Sequence, residues 1–113
     1  MSNSFKNKKV DLTTTDLTTL YTVPTATTTV IKSILVSDDS GSGTTIDVTL
    51  VDSSSAIFNL FKSKSISGNA TTELLTQPLV MEESEILKVQ SGYANRLHLG
   101  ASILEIQPRE VTT

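Results

Sequence analysis

Hydrophobic residues in this chain recur at every second position, in short runs separated by breaks rich in Ser, Gly and Asp. The clearest run is Thr45 to Asp52, where Ile46, Val48 and Leu50 point one way and Asp47 and Thr49 the other. A period of two marks a strand with one buried face. Thr28 to Ser37 is the strongest strand. Val30, Ile34 and Val36 share one face there, and Ile31 and Leu35 share the other. Ile57 to Ile66 also carries apolar residues on both sides, with Phe58 and Leu60 opposed to Ile57 and Phe61. Ile86 to Ser91 directs Leu87 and Val89 inward. In Arg96 to Ile106, Leu97, Leu99, Ala101 and Ile103 keep one parity while Leu104 and Ile106 take the other. A β-bulge between Gly100 and Leu104, or a strand crossing between sheets, accounts for that switch.

Shorter segments complete the set: Val10-Asp11-Leu12, Leu17 to Val23 closed by Pro24, and Glu73-Leu74-Leu75 with Leu79-Val80-Met81 on either side of Pro78. Turn signals stand between them, at Asp38 to Gly43, Ser53 to Ser55, Ser67 to Ala70, Glu82 to Glu85 and Gly92 to Asn95. Only Asp16 to Tyr21 and Glu82 to Val89 leave room for a turn of helix. About eight short strands, each closed by a turn signal, predict an all-β, single-domain antiparallel β-sandwich. Alternation does not reveal connection order, so jelly-roll and immunoglobulin-like arrangements both fit. The expected organisation is an N-terminal arm over 1–9, the sandwich over 10–107 and a C-terminal tail over 108–113.

Composition sharpens this picture. The chain has 113 residues, one domain's worth, and 37% of them are hydrophobic but only 4% aromatic. The core must therefore be aliphatic. Eighteen threonines and fifteen serines suit half-exposed strands and turns. The net charge is -3 and the pI about 5.0, so the chain lacks the basic face that nucleic acid requires. Lys6, Lys8 and Lys9 form the one basic cluster, read as a solvated arm. With no secretory signal pattern and no apolar run of membrane-spanning length, a soluble chain made in a cytoplasm is expected.

Candidate chemistry is sparse. There is no cysteine and a single histidine, His98, which by parity faces away from Leu97 and Leu99. One imidazole without a thiolate does not supply the usual zinc sets. Asp38, Asp39 and Asp52 stand near loops but lack the spacing of an EF-hand. Glu82, Glu83 and Glu85 face different ways in a turn, which does not suit paired-carboxylate chemistry. Gly41-Ser42-Gly43-Thr44 lacks the lysine of a phosphate loop. The expectation is a protein without catalytic residues, metal or cofactor.

Several segments carry a family likeness. Leu20-Tyr21-Thr22-Val23-Pro24, then Thr29-Val30-Ile31-Lys32-Ser33-Ile34, open the pattern. Pro78-Leu79-Val80-Met81-Glu82, Ile86-Leu87-Lys88-Val89-Gln90-Ser91 and Leu104-Glu105-Ile106 continue it. Together, over residues 17–106, they resemble small β-sandwich virion structural proteins of tailed bacteriophages, the type found in phages of marine cyanobacteria. Two turns depart from that pattern. Thr25-Ala26-Thr27 stands where such proteins often have a glycine, and Glu82-Glu83-Ser84-Glu85 lacks their Gly-Asp.

The resemblance implies a virion structural protein without catalytic residues, placed on capsid, neck or tail. The two-faced apolar strands and the N-terminal arm point to a capsid decoration or accessory head protein, located in the virion after synthesis in the host cytoplasm. Its partners would be other virion proteins, the major capsid protein or neck and tail proteins, and it would be a homo-oligomer in the particle. A neck or tail adaptor, ring or fibre-attachment protein is the alternative reading, and a carbohydrate- or receptor-binding module the third. Contacts are expected at Phe5, Val10 and Leu12 on the arm and at Ile57 and Phe61 on the domain.

Overall fold

The computed structural model describes residues 2–107, and within them the chain forms nine strands and no helix. The strands are β1 (Ser2–Leu12), β2 (Thr18–Thr22), β3 (Thr28–Asp38), β4 (Thr44–Val51), β5 (Ile57–Ile66), β6 (Thr71–Glu73), β7 (Leu79–Met81), β8 (Ile86–Ser91) and β9 (Leu97–Gln107). The turn of helix allowed at 16–21 or 82–89 is replaced by bends leading into β2 and β8.

All pairings are antiparallel. The larger sheet runs β1-β9-β3, with β6 and β7 sharing the far side of β3; the smaller runs β2-β8-β4-β5. The chain is thus a long ribbon doubled on itself, pairing β4 with β5, β3 with β6 and β7, β2 with β8, and β1 with β9. Rolling that ribbon adds the β3–β9 and β4–β8 pairs. This is jelly-roll winding, and it separates the fold from the immunoglobulin order.

Between the sheets lies an aliphatic core, with Ile31, Ile34, Val36, Ile46, Val48, Leu87, Val89 and Leu97 fully buried. Burying each such side chain contributes about 1.5–3 kcal/mol. Register corrects the expected facing on two strands and the expected bulge on a third. On β3, partners step from Ile31↔Ile103 to Ser33↔Ser102, which leaves Lys32 as an extra residue. That bulge turns Ile31 inward with Ile34 and Val36, and Val30 outward with Leu35. On β9, no irregularity interrupts the pairing with β1; the bulge expected between Gly100 and Leu104 lies instead on its neighbour β3. On β5, the register shifts twice, and Phe58 and Phe61 both sit opposite core-facing residues, Leu50 and Val48.

The expected arm over 1–9 is also corrected. From Ser2 onward the segment pairs residue for residue with β9, so it is an edge strand of the larger sheet. The tail over 108–113 lies outside the described residues.

β6 and β7 are one strand position interrupted before Pro78, which has no N–H to give a ladder. The Glu73 carboxylate fills the gap. It accepts from Ile34 N at 2.8 Å, from Leu75 N at 3.1 Å and from the Ser33 hydroxyl. The turns at Thr25–Thr27 and Glu82–Glu85 have the left-handed backbone that glycine adopts most readily, with φ of 56° at Ala26 and 70° at Ser84. Glu83 Oε2 accepts from Ala26 N at 2.9 Å and ties the two turns together.

Candidate functional site

Three features carry the chemistry of this molecule: one buried polar cluster and two apolar surfaces. The cluster arises because β9 keeps its inward parity past Ile103 and so buries Glu105. The Tyr21 hydroxyl, from the smaller sheet, donates to Glu105 Oε2 at 2.7 Å and lies 2.7 Å from Thr29 Oγ1. Lys6 Nζ on β1 pairs with Glu105 Oε1 at 2.9 Å. Every buried polar side chain among the described residues has a partner. Burial pushes the Tyr21 phenol above its usual range, with the Glu105 charge acting in the same sense. Burial also acts to raise the Glu105 carboxyl, but the bonds from Tyr21 and Lys6 and the charges of Lys6 and Lys8 outweigh it and hold the group below its usual range.

Asp38 and Glu73 are depressed in the same way, burial being outweighed by hydrogen bonds from Gly41, Asn69 and Ser40 in one case and from Ser33, Ile34 and Leu75 in the other. The unfolded chain therefore takes up protons first on acidification. The stability from these three carboxylates is complete above about pH 5 and is lost as the pH falls through about 4 and below. Melting temperatures measured from pH 7 down to pH 3 are expected to fall, and Glu105→Gln to make that fall shallower. Identical pH profiles for the two proteins would remove Glu105 from the account.

The first apolar surface crosses the outer face of the larger sheet. Phe5 pairs with Leu104, Leu104 with Val30 and Val30 with Val80. Paired residues share a face, so these four form one row across four strands. Its two ends are the most open, Phe5 at 74% and Val80 at 58% exposure. Lys32 Nζ lies 5.9 Å from the centre of the Phe5 ring, within reach of a cation–π contact.

The second surface is the start of β5, the edge strand of the smaller sheet. Ile57 is 66% and Phe58 49% exposed, on opposite faces of the strand, and Leu60 is exposed two residues on.

Among the sequence-derived contact residues, Phe5 and Ile57 lie on these surfaces. Val10 and Phe61 are half-buried and pack against the core. Leu12 is 1% exposed and is a core residue, because its pairing with Leu97 directs it between the sheets. Leu104, Val30, Val80, Phe58 and Leu60 were missed. The parity of Leu104 and Ile106 was a signal for the outer face, but what lies beside them depends on register.

The remaining polar groups are committed locally. His98 faces outward, with Nε2 3.1 Å from Asp11 Oδ1 and Nδ1 3.7 Å from Asp39 Oδ2. The Arg96 guanidinium stacks 3.9 Å from the Tyr93 ring centre and donates to the Gly43 carbonyl at 2.8 Å. A polar cleft of about 300 Å³ opens beside Asp47, Ser63 and Gln90. Asp47 Oδ1 there accepts from Ser63 N, and Gln90 Nε2 donates to the Thr15 carbonyl. Among the described residues, no group of three or more His, Asp and Glu side chains is placed to hold a metal ion.

The arrangement is a jelly-roll sandwich with apolar side chains exposed on the outer face of its larger sheet and along β5. No protein-family model matches the chain, and no curated protein matches it.

Proposed function

We propose that this chain is a non-enzymatic structural protein of a tailed-phage particle, a capsid decoration protein that acts by binding neighbouring virion subunits. The observation that carries the reading is the first half of β5, where Ile57, Phe58 and Leu60 are each exposed along a sheet edge, Ile57 and Phe58 on opposite faces of it. Grouped apolar side chains of this kind mark protein–protein contacts. Covering them in a particle adds buried area to the shell, and binding to the assembled form alone stabilises it by mass action. The sequence resemblance supplies the phage context; the fold by itself hosts many functions.

Placement in a neck or tail ring is the second reading. It is favoured by the unlike charges at the two edges of the larger sheet, a basic β1 and an acidic β6–β7 side.

Quantitative mass spectrometry of purified particles, referenced to the major capsid protein, tests both. On the order of hundreds of copies is the expected result for decoration of an icosahedral lattice, whereas about a dozen or fewer means a ring of cyclic symmetry. Absence from the particle overturns the virion reading.

A further inference from the structure

A β-sandwich leaves its edge strands with one side unpaired, and the larger sheet has two such edges. One is β1, eleven residues long and paired, among the described residues, only with β9. It carries Lys6, Lys8 and Lys9, all exposed. The other edge is β6 and β7. It carries Glu73 at the end of β6, with Glu82 and Glu83 directly after β7. The edges of one sheet thus have opposite charge.

Strand direction makes them compatible. β9 is antiparallel to β1, β3 to β9, and β6 and β7 to β3. β1 therefore runs opposite to β6 and β7. Placing β1 of one copy beside β6 and β7 of the next, same face outward, continues the sheet with antiparallel pairing.

Register makes them complementary in detail. The apolar row begins at Phe5 and ends at Val80. A second outer-face row begins at Lys9, passes through Gly100 and Leu35, and ends at Glu73. Continuing the sheet in register sets Phe5 beside Val80 of the next copy, and Lys9 beside its Glu73. One contact covers the two most exposed members of the apolar row, and the other pairs unlike charges. Each cross-strand pair of this kind is favourable.

Charge disfavours the symmetric alternatives. Two copies joined β1 to β1 bring both lysine clusters together, and two joined through β6 and β7 bring the glutamates together.

We infer that copies of this chain associate head to tail, β1 of one against the β6–β7 edge of the next. The inference rests on the reading of the chain as an assembling structural protein and names a second copy as one of its partners. Such a heterologous contact closes into a ring when the rotation per step permits, and otherwise propagates as a filament.

Because the chain has no cysteine, engineered thiols test the contact cleanly. Phe5→Cys and Val80→Cys are made as separate full-length variants, both at exposed positions, and circular dichroism checks that each is folded. On mild oxidation of an equal mixture, the mixed dimer that links one variant to the other is expected in roughly tenfold excess over either self-linked dimer, the ratio that 1.4 kcal/mol of preference produces. Adding Lys9→Glu to the Phe5→Cys variant is expected to reduce that excess, as is raising the salt concentration. A chain carrying both thiols is expected to give a ladder of linked oligomers or one closed ring. Dominant self-linking of the Phe5→Cys variant means a two-fold β1 contact and overturns the inference, as does a statistical mixture of dimers. Either failure leaves the virion reading standing, since that is decided separately by the protein's presence in particles.

Discussion

Gly68→Ala is expected to lower the melting temperature by roughly 10 °C, while Gly100→Ala leaves it unchanged or raises it by about 2–4 °C. The two glycines differ in what surrounds them. A Cβ on Gly68 would lie 2.3 Å from the Gly41 carbonyl oxygen and 3.2 Å from Ser42 N. These are backbone atoms of the turn between β3 and β4, pressed against the turn between β5 and β6. They cannot swing aside as a side chain can. Asp38 binds the two turns together, accepting from Ser40 N and Gly41 N at 2.9 Å and from Asn69 N at 3.4 Å. Gly43 adds to the crossing, with a φ of 73° and the Ile66 carbonyl oxygen 2.7 Å from its would-be Cβ. Forcing a methyl into such a contact costs about 3 kcal/mol, the upper end for overpacking. Gly100 lies on the outer face with no heavy atom within 4 Å of an added Cβ. A strand glycine there costs about 0.5–1 kcal/mol relative to alanine. Thermal unfolding followed by circular dichroism reads both effects. Equal melting temperatures for the two variants would mean that the turns do not press on each other in solution.

The double variant Ile57→Ser/Phe58→Ser is expected to keep its melting temperature but to lose particle binding by roughly tenfold to a hundredfold, the effect of removing an apolar anchor. Both side chains are exposed on the edge strand β5, and surface substitutions of this kind change stability by about 0.5 kcal/mol or less. The pairing of Ile57 with Phe61, natural from the sequence, is a poorer probe. Phe61 packs against the core, and cutting it back costs about 2 kcal/mol or more of fold stability. Co-sedimentation with particles lacking this protein measures binding, and a parallel melt reports folding. Undiminished binding by a folded double variant would remove β5 as the contact and leave the row from Phe5 to Val80 as the remaining apolar surface.

How far the fold was legible depended on whether the signal was local. Ile86 to Ser91 alternates without interruption and forms a strand with those bounds. Thr45 to Asp52 alternates too and shifts by only one residue. β1 was largely invisible. Between Asn3 and Lys9 only Phe5 is apolar, and the segment is a strand because β9 offers it a ladder, not because its own pattern demands one. Lys32 shows a subtler limit. Val30, Lys32 and Ile34 read as a regular alternation, yet Lys32 is the extra residue that moves Val30 to the outside. A bulge is a relation between two strands, and one strand's sequence does not contain it. The candidate surface was hidden for the same reason. Its row draws on positions 5, 30, 80 and 104, which only the jelly-roll winding brings side by side.

The doubled ribbon also sets the order in which the molecule can be completed. β9 lies at the interior of the larger sheet, hydrogen-bonded to β1 on one side and β3 on the other. As the chain is synthesised from its N-terminus, β1 therefore waits without its partner strand until Leu97–Gln107 has emerged. The Tyr21 hydroxyl waits as long for the Glu105 carboxylate it will meet. Closure of the sandwich is a late and long-range event, the kind that places folding in the millisecond-to-second range rather than the microsecond range.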